Sequence, residues 1–160
     1  MGRTLLLDAK PLSNLLARIA IGRVLDSDQS YYRVTYNRLA ALVDEEAVRL
    51  VSTPAVATEA LHFLLNKSDE PPKIEALRRS PISLRAGSES DLRDYGDANL
   101  KGVDFADYTL LRAWDSLANS GTRPFPITIT TDWPLKRIAT GRFAQNAYTV
   151  EELEGQPDLL

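Results

Sequence analysis

The chain has 160 residues, 44% apolar and 26% charged, with a formal net charge of −3, which predicts one globular domain with a real hydrophobic core and argues against a strongly basic nucleic-acid binder. It holds no cysteine and a single histidine, His62. Disulfides, zinc–thiolate centres and cysteine nucleophiles are therefore excluded, and a serine–histidine triad or a two-histidine ribonuclease mechanism would rest on His62 alone. Neither Gly-x-x-x-x-Gly-Lys nor Gly-x-Gly-x-x-Gly occurs, so the phosphate-cradling loops are absent. What the chain has in supply is carboxylates, and an acidic enzyme meets phosphates through bound cations rather than lysines.

Leu5-Leu6-Leu7-Asp8 reads as a short apolar strand ending on a carboxylate, with Pro11 opening a helix to Ala20 on Leu12, Leu15, Leu16 and Ile19. That apolar run is too short for a membrane span or a signal-peptide core, so a soluble, cytoplasmic protein with no membrane partner is expected. Gly22 closes the helix, and residues 25–30 are polar enough for a connection. Tyr31 to Val43 reads as a second helix. Its cluster Tyr31, Tyr32, Arg33, Tyr36 and Arg38 is read as core or dimer packing with snorkelling arginines, stacking on single-stranded bases being the alternative. Val48 to Ser52 is a second strand, and Pro54 starts a third helix running to about Leu65.

That third helix carries Val56, Ala60, Phe63 and Leu64 on its apolar stripe and Glu59 at the stripe's edge. A carboxylate there needs a partner or a cation, unless it is an ordinary exposed helix glutamate. His62 is read as a tolerated surface or half-buried residue. Residues 66–73, with Pro71 and Pro72, read as a linker and 74–79 as a short helix. Ile82 and Leu84 lie in a third strand, and Ser88 to Asn99 in a capped amphipathic helix.

Asp104 to Asn119 is the most legible helix, with Leu110, Leu111, Trp114, Leu117 and Ala118 on one face. Asp107 projects onto that same face, where a leucine is expected. Asp104 is placed as the N-cap, and the helix dipole favours an acid at Asp107. Capping explains Asp104 better than it explains an inward-facing Asp107. Pro126 to Trp133 interleaves Ile127 and Ile129 with threonines, reads as a strand ending on Asp132, and is followed by a short helix opened by Pro134. Ala147 to Val150 is a last strand. One domain over 1–150 and a frayed acidic tail over 151–160 are expected.

Four acids thus stand out for separate local reasons: Asp8, Glu59, Asp107 and Asp132. In an open α/β sheet the carboxyl ends of the strands are where ligands bind. Taken in order, these pieces resemble the PIN-domain ribonucleases, especially the small VapC-type toxins of toxin–antitoxin pairs. The family's opening strand and aspartate resemble Leu5-Leu6-Leu7-Asp8. Its strand-Ser-x-Pro-helix-Glu element resembles Leu50-Val51-Ser52-Thr53-Pro54 through Glu59-Ala60. Its third acid opens a long helix, as in Phe105-Ala106-Asp107-Tyr108, and its fourth lies in a Thr-x-Asp turn, here Thr130-Thr131-Asp132.

The resemblance implies an α/β, PIN-like fold with a four- or five-stranded parallel sheet flanked by helices. It also implies an endoribonuclease dependent on Mg²⁺ or Mn²⁺, acting as a toxin on an RNA substrate, neutralised by a small antitoxin protein and forming a homodimer. Asp8, Glu59, Asp107 and Asp132 are then catalytic and metal-binding, with Thr130, Thr131 and Asp104 in support. Oxygen-only ligands suit such hard cations. Family members follow the first aspartate with a hydroxyl residue and then Asn or Ser, whereas Asp8 is followed by Ala9 and Lys10. Lys10 either binds an RNA phosphate or places its ammonium in part of the metal's electrostatic role. The competing expectation is a catalytically weak or inactive PIN-like domain that binds RNA or a protein partner.

Overall fold

Three leucines in a row fit only a strand covered on both faces, and Leu5, Leu6 and Leu7 have no exposed surface. They form β1 (Arg3–Leu7), the central strand of the computed structural model, which describes residues 2–67, 82–86 and 89–160. Its neighbours are β2 (Val48–Ser52) and β4 (Ile127–Thr130), and the edges are β3 (Ile82–Leu84) and β5 (Ala147–Thr149). All five strands are parallel, in the order β3-β2-β1-β4-β5, with Leu5 in register with Leu50 on one side and Ile127 on the other. The chain winds outward from β1 through β2 to β3, then returns to lay β4 on the opposite side of β1. The strand order therefore reverses between β1 and β4, which is where such sheets open a crevice at their carboxyl ends.

The described α-helices are α1 (Ala9–Ile21), α2 (Arg33–Asp44), α3 (Pro54–Lys67), α4 (Glu89–Ala98), α5 (Phe105–Asn119), α6 (Trp133–Gly141) and α7 (Val150–Gly155). Helix α1 packs on α2 and α3, α3 on α5, α4 on α5, and α2 on α7. The stripe expected on α5 is buried as a block, with Leu110, Leu111, Trp114 and Leu117 in the core. Each fully buried leucine is worth about 1.5–3 kcal/mol of transfer free energy. Helix α1 starts two residues before Pro11 because Asp8 caps it, accepting from the Ala9 amide. It ends at Gly22, whose φ of 77° is the left-handed conformation glycine tolerates best.

Two expectations along the chain are corrected. The second helix starts at Arg33 and not at Tyr31, because residues Ser27–Tyr31, from the 25–30 connection onward, form a 3₁₀ turn. The turn is anchored by buried Asn14, whose side-chain oxygen accepts from the Leu25 and Asp26 amides, each at 2.9 Å. The segment 151–160 is not a frayed tail. Thr149 and Glu152 form a reciprocal capping box that starts α7, Leu153 is 1% exposed, and Pro157–Leu159 adds a 3₁₀ turn. The carboxylate of Glu154 also accepts from the Val34 and Thr35 amides and the Thr35 hydroxyl, at 3.0, 2.8 and 2.7 Å, capping α2 from across the fold. The short helix expected over 74–79 and most of the 66–73 linker lie outside the described residues. Among the described residues, no helix is long and apolar enough to cross a membrane.

Candidate functional site

Asp8 is the first residue beyond β1. Its amide still donates to the Ile129 carbonyl at 3.0 Å, so it sits on the β1–β4 seam where the strand order reverses. Its carboxylate accepts from the Ala9 amide at 2.8 Å and from the Thr130 hydroxyl at 2.7 Å. The same Thr130 oxygen accepts from the Asp132 amide at 2.9 Å, so one buried hydroxyl orients both strand-end acids. Thr128, two residues earlier on the same strand, has a buried hydroxyl with no partner among the described residues. The threonine at 130 therefore has a local task that its neighbour lacks.

Asp132 caps α6 loosely, accepting from the Leu135 amide at 3.5 Å, and Asp104 caps α5, accepting from the Asp107 amide at 2.8 Å. Helix capping thus accounts for Asp8, Asp104 and Asp132. The amino ends of α1, α5 and α6 each carry partial positive charge, which offsets part of the repulsion among these acids.

Capping does not account for Asp107. It lies in the first turn of α5 and is 9% exposed, and the hydrogen bond that acts on its carboxylate comes from the Asp104 backbone, too weak to offset burial and the neighbouring acids. Burial first, then the charges of Asp8, Asp104 and Asp132, push its pKa up to about 8. Asp8 is pushed up to about 6, chiefly by burial, with Asp132 and Glu59 adding to the rise and the Thr130 and Ala9 hydrogen bonds opposing it. Glu59 is raised as well, by partial desolvation and by Asp104. Its side chain is exposed, which is the ordinary helix-glutamate alternative: Val56, Ala60 and Leu64 occupy the buried face of α3, and Glu59 looks to solvent. The five acids nevertheless lie within one another's fields, and among the described residues no lysine or arginine is among the groups shifting Asp8 or Asp107.

As the side chains stand, no three acidic or histidine groups among the described residues are close enough to hold one metal ion together. The donor set is nonetheless the oxygen chemistry of a hard cation, and magnesium commonly takes one or two carboxylates and completes its shell with water. Asp8 and Asp107 fit that requirement, because both are buried, mutually repelling and short of positive partners.

Lys10 does not fill the role of a surrogate cation. Its ammonium pairs with Asp28 at 2.7 Å and lines a separate cavity with Thr131. Thr131 is half-buried and its hydroxyl bonds to none of the acids. His62 is exposed on α3 and hydrogen-bonded to Asn66 at 2.9 Å.

Two supporting contacts escape the sequence reading. The Thr53 hydroxyl, at the start of α3, shares a 2.6 Å hydrogen bond with that of Thr109 on α5. That bond locks together the two helices that carry Glu59 and Asp107. The Ser52 hydroxyl donates to the Leu7 carbonyl at 3.0 Å, fixing β2 against the residue before Asp8. The pair Ser52-Thr53 ahead of Pro54 is a capping signal readable in the chain; nothing local marks Thr109. No protein-family model matches this chain, and no curated protein matches it either.

Proposed function

We propose that the chain is a PIN-like, divalent-metal-dependent endoribonuclease, with Asp8 and Asp107 as the ion's carboxylate ligands. The observation that carries this proposal is Asp107: a carboxyl 9% exposed, whose proton affinity burial and the charges of Asp8, Asp104 and Asp132 raise against a single opposing hydrogen bond from the Asp104 backbone, on the helix beside the switch point of a parallel sheet. A fold gains nothing in stability from that arrangement, whereas a cation bound only by the folded chain relieves it. When bound, Mg²⁺ or Mn²⁺ supplies Lewis-acid stabilisation of the attacking and leaving oxygens in an in-line displacement at phosphorus.

The chain's own residues do the positioning. Thr130 holds Asp8 and the backbone of Asp132 in one geometry. Exposed Glu59, its proton affinity raised by partial desolvation and by Asp104, takes the proton of the attacking water. Arg85, which donates to the Ser116 hydroxyl, and Arg112, which pairs with Asp91 at 3.3 Å, line a cavity of about 270 Å³ beside Thr109 at the end of β3; their remaining donors are the cationic groups offered to an RNA backbone in this proposal. The roles of toxin, antitoxin partner and cytoplasmic homodimer are supported by the resemblance in motif order.

The spread of the acids, with no three in reach of one ion, favours a second reading: a PIN-like domain that binds RNA or a protein without cutting. Incubation of the pure protein with mixed RNA, with and without Mn²⁺, separates the two. Metal-dependent cleavage lost in both Asp8→Asn and Asp107→Asn supports the nuclease. RNA retained intact, or cleavage persisting in both variants, removes it.

A further inference from the structure

Next to the acids, on the β4–β5 side, lies a cavity of about 180 Å³ that the nuclease chemistry does not use. It abuts the proposed site, because Thr131 and Trp133, the two chain neighbours of Asp132, both line it, together with Lys10 from the start of α1. The remaining wall comes from Asp28 and Gln29 of the 3₁₀ turn, from Tyr32 just after it, and from Thr149 and Glu151 of the last strand and helix.

Its parts are held in place. The 3₁₀ turn is pinned by Asn14, and the Lys10–Asp28 pair closes one side. The Trp133 indole N–H donates to Glu151 at 3.2 Å, which fixes the ring while leaving 37% of the residue exposed. Gln29 is the telling member. The residue is 3% exposed, its amide oxygen accepts from the Tyr36 hydroxyl at 2.6 Å, and its amide nitrogen, which makes no hydrogen bond to the described residues, is on a side chain that lines the cavity. An amide donor held in one orientation at a cavity wall, with its oxygen already bonded, is available to an acceptor that enters.

The chemistry of the lining selects the occupant. Two carboxylates face one ammonium already committed to Asp28, so a phosphate is disfavoured. Two aromatic residues and a tied indole favour a flat ring. A buried amide donor beside carboxylate acceptors matches a ring nitrogen or carbonyl adjacent to an amine.

We propose that this cavity is a subsite for one nucleobase bearing an exocyclic amine (adenine, cytosine or guanine), stacked on Trp133 and flanking the phosphodiester at the acids. Gln29 donates to the base's ring nitrogen or carbonyl, and the free oxygens of Glu151 and Asp28 accept from its amine. Uracil would set a carbonyl oxygen against a carboxylate and is discriminated against. The RNA strand in this proposal comes from the nuclease reading; the base preference has its own readout.

The test uses Asp107→Asn protein, which leaves RNA intact, and fluorescently labelled single-stranded oligo-A, oligo-C and oligo-U titrated in Ca²⁺. Oligo-A and oligo-C should bind roughly tenfold more tightly than oligo-U. Trp133→Ala should lose roughly tenfold for oligo-A while Trp133→Phe loses little, since one stacked base is worth that much. Glu151→Gln should bring the A-to-U ratio toward one. Both residues are exposed, and circular dichroism confirms that the variants fold. Unchanged affinities in Trp133→Ala, or an unchanged ratio in Glu151→Gln, overturn the subsite, as does failure to bind any of the oligonucleotides. Binding with these preferences by a wild-type protein that never cuts RNA in Mn²⁺ leaves the subsite standing and removes only the nuclease. Cutting with no base preference does the reverse.

Discussion

Asp107→Asn keeps the shape of the side chain and removes a charge for which, among the described residues, no lysine or arginine is among the offsetting groups. Burial, then Asp8, Asp104 and Asp132, raise the Asp107 pKa from 3.8 to about 8. Between those values the folded chain keeps a proton that the unfolded chain has released. Wild-type stability therefore falls as pH rises through this window and levels off above it. Taken in isolation the rise is worth about 6 kcal/mol, at about 1.4 kcal/mol for each tenfold change in proton affinity. The penalty is shared with Asp8 and relieved where water reaches the carboxyl, so the expected gain in the variant is on the order of 2–3 kcal/mol at pH 9. For a chain of this length that is a melting temperature higher by roughly 5–10 °C. Thermal unfolding of both proteins in EDTA from pH 4 to pH 9 measures it: the curves should nearly coincide at the acid end and separate progressively upward. A wild-type stability that stays flat from pH 5 to pH 9, or a variant less stable than wild type at pH 9, would show that Asp107 is not the uncompensated charge described.

Millimolar Mg²⁺ or Mn²⁺ at pH 8 should raise the melting temperature of wild type and leave Asp107→Asn unmoved; no shift in either removes the cation from the proposal. Thr130→Val strips the donor from Asp8 and the acceptor from the Asp132 amide. It should cost about 1–3 kcal/mol by urea denaturation and push Asp8 above its value of about 6, a change readable in a carboxyl NMR titration, while Thr130→Ser retains most of both. Glu154→Ala, which deletes three hydrogen bonds to the start of α2, should destabilise by about 1–3 kcal/mol. A variant as stable as wild type would mean that the C-terminal helix does not hold α2.

Much of the frame is local information. A run of buried leucines, β-branched residues alternating before an acid, and Pro or Ser/Thr at helix starts are short-range signals. They located all five strands and the long α5 correctly because parallel strands covered on both faces require uninterrupted apolar segments. The capping box Thr149-Val150-Glu151-Glu152 was equally local, and an acidic composition concealed it. Glu154 becomes stabilising only through its bonds to the start of α2, far away in the sequence.

What the sequence by itself determined is the alternation of strands and helices and the placing of carboxylates at strand ends and helix starts, since both follow from neighbours a few residues apart. Only the tertiary structure decided what each acid experiences. The β1–β4 pairing put Thr130 on Asp8 and bound Asp132 to the same hydroxyl. Packing of α5 at the sheet's carboxyl edge buried Asp107 among other acids, and α3 left Glu59 facing water. It turned Lys10 toward Asp28 and away from the acids, opening the aromatic cavity beside them. Charge burial and long-range hydrogen bonds depend on what the rest of the chain brings alongside, and no window of sequence contains that.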